Sequence, residues 1–460
     1  MEQTDWQVKR LRINKIDNYR GSTLFSAGTK IVRNLAQNGF KAFFVGGSVR
    51  DMLMGRPVSE IDIASSARPD DVQKLFPRSH MAGASFGVAI VVEDDMPFEL
   101  ATFREERNYM DGRHPEEISY TDDPALDALR RDFTINSMFL DPLTGEVYDF
   151  TGGLNDIAAG ILKTVGDPYD RFTEDYLRML RAVRFCARFD YEMDRATADA
   201  IAELGKNVLL LAQERIKAEL DKMLCGPNPA LSIKMLHEFG LLKLILPEVA
   251  AMDGVTQPEV FHPEGDVLQH TLLMLDHMTM VDSDLAWSVL LHDVGKPPTI
   301  SVDFNNVEHF YGHEDKGAQM AGGILKRLRF PARSIENIVH AVRNHMRFAH
   351  IHLMRTAKWK RIMAEENFPL ELELHRIDCI SCHGKLDNYV LLIDRIREMA
   401  GSPKLPEPLI NGNNLIAIGM ESGPLIGKML REISDLQLEG SITTKDDALK
   451  YARKNIAQFT

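Results

Sequence analysis

Residues 42–51 read Ala42-Phe43-Phe44-Val45-Gly46-Gly47-Ser48-Val49-Arg50-Asp51, and after a short loop residues 59–64 read Ser59-Glu60-Ile61-Asp62-Ile63-Ala64. The apolar run Ala42–Val45 has the length and composition of a buried strand. It stops at Gly46-Gly47, and a helix is expected to begin near Ser48. A glycine pair lets backbone approach a ligand closely, and a helix N-terminus presents free N–H groups to an anion. Arg50 adds a fixed cation one turn in. Ser59–Ala64 alternates like a strand, where residues i and i+2 share a face. Glu60 and Asp62 are therefore expected to point together toward the glycine loop. Each feature alone has an ordinary explanation, a tight turn or a solvated edge. At this spacing they join a phosphate cradle to two carboxylates, the arrangement that holds a nucleotide and Mg2+ together.

The composition limits what surrounds this site. The chain has 460 residues, 44% hydrophobic and 26% charged, as in ordinary soluble globular proteins of two to four domains. No apolar stretch approaches the length of a membrane span, and the start, Met1-Glu2-Gln3-Thr4-Asp5-Trp6, lacks the pattern of a signal peptide. Four cysteines argue for a reducing, cytoplasmic setting rather than a disulfide scaffold. Cys379 and Cys382 form a single Cys-x-x-Cys; without a second pair, this argues against a zinc site. The net charge of −13 weighs mildly against a nucleic-acid partner, but a local basic face can still bind phosphate.

Strands are expected at 41–45, 59–64, 86–92 and 97–103. From about 166 to 250 the apolar residues recur at helical spacing. Val255–Gly265 reads as a linker, residues 266–400 as helical and rich in His, and Ser402–Pro408 as a second linker before a small helical tail.

The string Gly-Gly-x-Val-Arg-Asp-x-Leu-x-Gly followed by acid-x-Asp-Ile-Ala resembles the head motif of class II tRNA nucleotidyltransferases, the family of CCA-adding enzymes and bacterial poly(A) polymerases. One position departs. The family usually has Asp-x-Asp, whereas this chain has Glu60. The extra methylene moves the carboxylate by about 1.5 Å, which an octahedral Mg2+ site must accommodate in its backbone or its rate. The resemblance continues downstream. Glu99, in Pro97-Phe98-Glu99-Leu100-Ala101-Thr102-Phe103, matches the third-carboxylate strand, implying a metal-positioning role. Arg104–Pro115, including Arg107, Tyr109, Asp111, Gly112, Arg113 and His114, is polar and too long for a tight turn; it resembles the flexible loop that helps the family switch from cytidine to adenosine addition. Arg130-Arg131-Asp132-Phe133-Thr134-Ile135-Asn136 matches the second head motif, which implies that Arg131 contacts the triphosphate.

The segment Glu174-Asp175-Tyr176-Leu177-Arg178 through Arg188 carries arginines at 178, 181, 184 and 188, one face of a helix. Such a face is often merely solvated. Here Leu177, Leu180, Val183 and Phe185 must pack on the other side, which fixes where the arginines point. A carboxylate accepts and a guanidinium donates in a planar fork, so Asp175 and Arg178 can imitate a Watson–Crick edge. The family uses Glu-Asp-x-x-Arg in this way, as a protein template for C and A, and Arg181 and Arg184 would then reach phosphates. Gln213-Glu214-Arg215-Ile216 with Glu219-Leu220 resembles the next motif, which braces this segment.

A second constellation lies downstream. His292-Asp293 ends the apolar run Ala286–Leu291 and precedes Gly295-Lys296, with His270 before it and His313, His345 and Asp378 after it. A single His on a helix is more often packed or at the surface, but imidazoles and carboxylates together suit transition metals. The set resembles an HD phosphohydrolase domain. It implies a site for Ni2+, Co2+ or Mn2+ that removes 2′,3′-cyclic or terminal phosphates from RNA ends, with Lys296 steadying a phosphate. The alternative is an inherited helical body without chemistry.

The resemblance covers nearly the whole chain; only residues 1–25 match nothing in it. It implies an α+β head of the nucleotidyltransferase (polymerase beta-like) type, followed by an all-α neck, HD body and tail. The head would span 1–165, the neck with its nucleobase-recognition motif 166–255, the HD domain 266–400 and the tail 409–460. The implied activity is template-independent addition of CCA from CTP and ATP to tRNA, with Mg2+ held in the head by Glu60, Asp62 and Glu99 and nucleotide held by Gly46, Gly47, Arg50, Arg131, Asp175, Arg178, Arg181 and Arg184. The competing readings are a poly(A) polymerase or A-only-adding enzyme and a non-catalytic RNA-binding protein. The polymerase branch usually carries a basic Gly-Arg-Arg-Phe-like string, where this chain has Gly83-Ala84-Ser85-Phe86-Gly87. Oligomeric state stays open.

Overall fold

A computed structural model describes residues 9–12, 14–83, 87–109, 115–257, 265–280, 282–304, 307–399 and 405–456. The chain divides into two compact units, Met1–Ile245 and Leu246–Thr460. The first holds residues 1–165 of the sequence reading and the neck stretch as far as Ile245; the second holds 246–255 and the stretches read as body and tail.

In the first unit the strands are Lys9–Arg12 (β1), Ala42–Val45 (β2), Asp62–Ser65 (β3), Ser79–Gly83 (β4), Val88–Glu93 (β5), Met96–Thr102 (β6), Arg104–Tyr109 (β7), Pro115–Tyr120 (β8), Phe139–Asp141 (β9) and Glu146–Asp149 (β10). Eight of them form one mixed sheet in the order β1-β10-β9-β2-β3-β6-β5-β4. The pair β3–β6 is parallel and the other neighbours are antiparallel. The apolar run of β2 makes it a central strand, with Phe44 fully buried; burying such a side chain is worth about 1.5–3 kcal/mol. The helix Thr23–Gln37 (α1) lies against this sheet, burying Phe25, Ile31, Val32 and Leu35, and Ser22 caps it by accepting from the Phe25 amide.

Strand register positions the site. Val45 pairs with Asp62 across β2–β3, and Ile63 pairs with Leu100 across β3–β6. The turn after β2 therefore sits beside Asp62, and Glu99 lies level with Asp62 on the next strand.

The strands depart from expectation in three ways. β3 begins at Asp62, so Glu60 and Ile61 lie on irregular backbone before it. β1, β4, β9 and β10 were not foreseen; β1 is exposed along its length and offers no apolar alternation. The polar segment read as a loop from Arg104 forms an antiparallel ribbon, pairing Arg104 with Tyr120 and Tyr109 with Pro115. A two-stranded ribbon is held by backbone hydrogen bonds and needs no apolar face, so periodicity cannot reveal it. Residues 110–114, with Asp111, Gly112, Arg113 and His114, lie outside the described residues, as do 84–86 of the Gly83–Gly87 string.

The helices that follow α1 in the first unit include Gly47–Met54 (α2), Pro69–Leu75 (α3), Pro124–Leu129 (α4), Gly153–Ala159 (α5), Pro168–Glu174 (α6), Leu177–Phe189 (α7), Arg195–Leu204 (α8) and Gln213–Leu224 (α9). As expected, α7 buries Leu177, Leu180, Val183 and Phe185. The single helix expected to join Asp175 to Arg178 is interrupted, because Asp175 is extended (φ −154°, ψ 104°) between α6 and α7. The all-α expectation for the neck gains one small exception, the parallel pairing of Ile161–Leu162 with Glu192–Met193.

The second unit is built mainly of helices, among them Val267–Asp276, Ser283–Leu291, His313–Arg327, Ala332–Asn344 and Phe368–Cys382. Trp287 is fully buried and meets Phe330 edge-on at 5.0 Å. A short hairpin, Ser301–Val302 with Glu308–His309, interrupts the helices. The tail helices Gly412–Ala417, Pro424–Leu438 and Lys445–Asn455 enclose their own core of Leu415, Met420, Met429 and Ile433. The stretch read as a linker at Val255–Gly265 is tied at its ends, where Thr256 bridges Asp266 and the Gln257 amide donates to the Gly265 carbonyl at 3.2 Å. Residues 258–264 and 401–404 lie outside the described residues, and among those described no helix is long and apolar enough to cross a membrane.

Candidate active sites

The head site begins where β2 ends. Gly46 has φ +71°, a conformation that favours glycine. A Cβ placed there would lie 3.5 Å from Asp62 Oδ2 and 3.6 Å from Arg131 Nη1. The glycine turn, one carboxylate and one guanidinium thus converge. They open into a cleft of about 1310 Å3, also lined by Gly47, Arg50, Glu60, Asp175, Arg178, Arg181 and Arg184. Glu99 is exposed on β6 beside Asp62 rather than in the cleft wall. Burial first, then the charges of Glu99 and Glu60, push the Asp62 carboxyl up to about 6 against the opposing pull of Arg131. Three clustered acids whose mutual repulsion exceeds their local cation fit a divalent ion.

Carboxylates hold the arginines of this cleft in place. Asp127, fully buried, contacts Arg130 at 2.7 Å and Arg131 at 2.9 Å, which aims Arg131 at the glycine turn. Arg50 is 4% exposed, hydrogen-bonded to Asp51 and Asn136 and stacked 4.6 Å from the Phe189 ring. Arg181 donates to Asp132 at 2.9 Å. Burial pushes Asp132 upward, but Arg181 outweighs it and holds the carboxyl down to about 2. Arg184 is buried and donates to Glu219 at 2.6 Å.

Asp175 and Arg178 both face the cleft, but each is held by another residue. Asp175 accepts a two-pronged pair from Arg215 at 3.1 and 2.7 Å and the Leu177 amide at 3.0 Å. Arg178 donates to the Arg171 carbonyl at 2.9 Å and pairs with Glu174. The segment read as a brace thus supplies Arg215 to Asp175 and Glu219 to Arg184. Sequence reasoning assigned no site role to Asp132, Asn136, Arg188 or Arg215, all of which line the cleft. All four stand inside strings already quoted, so position within a motif was the available signal.

In the second unit the six residues His270, His292, Asp293, His313, His345 and Asp378 come together. His270 Nε2 lies 3.2 Å from Asp378 Oδ1, and His292 Nε2 lies 3.0 Å from Asp293 Oδ2. His313 Nε2 and His345 Nε2 lie 3.6 and 3.7 Å from Asp293 Oδ1. Two groups that could each hold an ion, His270-His292-Asp293 and Asp293-His313-His345, therefore share Asp293. Three imidazoles are oriented alike. Nδ1 of His292 donates to the Val289 carbonyl, that of His313 to Phe310 and that of His345 to Val342, at 2.8, 2.8 and 2.7 Å. This turns each Nε2 toward the carboxylate, as the ring nitrogen available to a metal.

Burial pushes His345 down to about 4 despite Asp293, so it is neutral at pH 7. Burial pushes Asp293 upward, but His292 and Lys296 overcome this and hold it well below the usual carboxylate range. Asp293 Oδ1 is buried without a hydrogen bond, which fits an ion there. Gly295 explains its place in the motif, since a Cβ would lie 2.1 Å from the His313 carbonyl oxygen. Lys296 differs from expectation. Its ammonium is buried, 2.7 Å from Asp293 Oδ2, and donates to Gln257 Oε1 at 2.6 Å. It is engaged with the carboxylate rather than presented to a phosphate.

Comparison with known proteins follows the same order along the chain. Residues 42–163 match the family described as Poly A polymerase head domain, 190–252 the probable RNA and SrmB-binding site of polymerase A, and 266–380 the HD domain. The chain is 29% identical to the CCA-adding enzyme of Anoxybacillus flavithermus over 435 residues, 93% of this chain and 96% of that one. It is 43% identical to the CCA-adding enzyme of Bacillus pumilus over 272 residues, 59% of this chain and 64% of that one. The fold is similar to the crystal structure of the Bacillus stearothermophilus CCA-adding enzyme in complex with CTP, with a TM-score of 0.74 at 23% identity over 95% of this chain and 98% of that one. With the two-carboxylate head, the arginine-lined neck and the His-Asp body in this order, the chain belongs to the class II tRNA nucleotidyltransferases, the family of CCA-adding enzymes and poly(A) polymerases, and carries an HD domain.

Proposed function

We propose that this enzyme adds CCA to the 3′ end of tRNA from CTP and ATP without a nucleic-acid template, and that its body separately hydrolyses 2′,3′-cyclic or terminal phosphates. The observation that carries the first reading is the convergence of Gly46, Asp62 and Arg131 at one end of a cleft whose wall also contains Asp175 and Arg178. The near-full-length likeness to an enzyme named for CCA addition supports tRNA over a poly(A) product. Residues 1–165 would serve as the transferase head, 166–255 as the base-reading neck, 266–400 as the phosphohydrolase and 409–460 as the tail.

In the transfer step, the RNA 3′-oxygen forms a bond to the α-phosphorus of the nucleotide, pyrophosphate leaves, and the hydroxyl proton is lost to solvent. Gly46 and Gly47 let the triphosphate lie against backbone, and Arg131, aimed by Asp127, meets its charge. Mg2+ held by Glu60 and Asp62, with Glu99 alongside, would supply Lewis-acid stabilisation of the hydroxyl and of the pyrophosphate charge. Incubating tRNA that lacks CCA with each labelled NTP, with and without Mg2+, tests the reading. Two C and one A with Mg2+ are expected; a long A tract or no incorporation would overturn it.

Base choice is assigned to Asp175 and Arg178. Asp175→Ala and Arg178→Ala should each relax discrimination of CTP and ATP from UTP and GTP by about tenfold or more, because a site built to hydrogen-bond a base loses selectivity with its partner. Arg215→Ala should act in the same direction, since Arg215 orients Asp175. Misincorporation ratios measured for the four nucleotides check this; ratios unchanged in all three variants would refute the protein-template role.

Metal loading of the head should depend on pH. An ion and a proton compete for Asp62, whose carboxyl is raised to about 6. Mg2+ affinity should be constant above that value and fall below it, approaching about tenfold per pH unit for one displaced proton. Calorimetric Mg2+ titration across this range measures it. A flat profile would separate Asp62 from the metal.

A further inference from the structure

The body site has a feature that phosphate hydrolysis alone does not use. The metal-competent residues open into a cavity of about 640 Å3 whose lining includes His309, Phe310, Tyr311 and Met346. A phosphate group needs only a small part of that volume, which lies within the range of whole small-ligand sites. His309 and Tyr311 stack on each other, with ring centroids 5.2 Å apart and planes 13° apart. Tyr311 is nonetheless 78% exposed, and Met346 beside the same cavity is 49% exposed. Phe310, between His309 and Tyr311, lines the same cavity with the Lys296 ammonium 5.6 Å from its ring centre. The chain is held in this arrangement. His309 pairs with Asp303 across the hairpin at 3.2 Å, and the Phe310 carbonyl fixes the His313 imidazole. Gly312, at φ +74°, turns the chain between Tyr311 and His313. A flat, half-open aromatic pair is thus anchored two residues from a ligand of the hydrolytic centre. Lys385 and His350 line the same cavity and suit an anion.

We propose that His309 and Tyr311 form a stacking platform for the nucleobase of the phosphate ester cleaved in the body, so that this site takes nucleotides rather than base-free sugar phosphates. Every base has a π-face, and stacking on an aromatic side chain is tolerant of base identity. The site is therefore expected to accept purine and pyrimidine nucleotides alike. This inference rests on the body being a phosphohydrolase, and the experiment separates the two.

Tyr311→Trp in the full chain places an indole in the stack. With Zn2+ bound, its fluorescence, taken as the difference from the unsubstituted protein, should be quenched by adenosine 2′-phosphate but not by ribose 5-phosphate. In Ni2+, Co2+ or Mn2+, Tyr311→Ala should raise KM for adenosine 2′,3′-cyclic phosphate by about tenfold, the lower part of the range for one stacked base. The kcat, and CCA addition by the head, should change little. Equal quenching by ribose 5-phosphate, or an unchanged KM in Tyr311→Ala, overturns the platform while leaving the hydrolase reading standing. Base-dependent quenching in a protein that hydrolyses nothing supports the platform and overturns the hydrolase reading instead.

Discussion

Replacing Asp62 by alanine should reduce incorporation of both C and A by at least about 10³-fold, because losing a metal-holding carboxylate removes several kcal/mol of transition-state stabilisation, at about 1.36 kcal/mol per tenfold. The fold should survive. In the absence of metal, burial and the neighbouring Glu60 and Glu99 all oppose ionisation of Asp62. Removing the carboxyl therefore relieves repulsion, and the melting temperature of the metal-free variant should equal or exceed that of the parent. Glu60→Ala should show a comparable loss of incorporation. Glu60→Asp should lie within about tenfold of the parent, because residue 60 stands on irregular backbone ahead of β3 and can absorb a change of one methylene. Quench-flow or gel assays of single-nucleotide addition, together with thermal denaturation, read both quantities. Parent-like turnover in the two alanine variants would refute the head assignment.

The second large effect is expected in the body. His292→Ala should abolish hydrolysis of 2′,3′-cyclic nucleotides in Ni2+, Co2+ or Mn2+, a loss of at least about 10³-fold, while CCA addition continues. Asp293 requires a gentler change. Its carboxylate balances the buried Lys296 ammonium at 2.7 Å, and leaving such a charge without a partner typically costs about 3–5 kcal/mol. Asp293→Asn keeps the shape and an acceptor oxygen for Lys296 but removes the charge, so lost hydrolysis is read beside its thermal denaturation: loss with an unchanged melting temperature reports on the site. Mg2+ alone should serve the head better than the body, since imidazole-rich sites favour transition metals. A parent enzyme that hydrolyses no cyclic or terminal phosphate with any of these ions would make the body a structural relic.

What the sequence reveals about these sites follows from which interactions are local. Glu60, Asp62, His292 and Asp293 are adjacent or nearly so, and their motif spacing already places them together. Glu99 is joined to Asp62 only by the parallel pairing of β3 with β6, and resemblance rather than spacing suggested it. Partners distant along the chain left no local trace. Nothing in the neck string tells that Arg215 clasps Asp175, or that Lys296 reaches Gln257 as well as Asp293. Arg104–Pro115, the first part of a ribbon that ends at Tyr120, reads as a loop because the pairing is a backbone property without an apolar signature. The His309–Tyr311 stack joins residues two apart, but an aromatic at that spacing has no meaning until the cavity beside it is known.

The pairing of the cleft arginines with carboxylates changes how salt enters binding. A polyanion that lands on free surface cations drives off condensed counterions, and its affinity drops steeply as ionic strength rises. In this cleft Arg131, Arg181 and Arg184 already have Asp127, Asp132 and Glu219 as internal counterions. An incoming triphosphate or RNA end exchanges places with, or shares a guanidinium with, a fixed protein acid, and that acid cannot diffuse away. The chain can thus carry a net charge of −13 and still present a concave array of guanidiniums. Its grip on phosphate depends less on the surrounding electrolyte than the number of arginines would suggest.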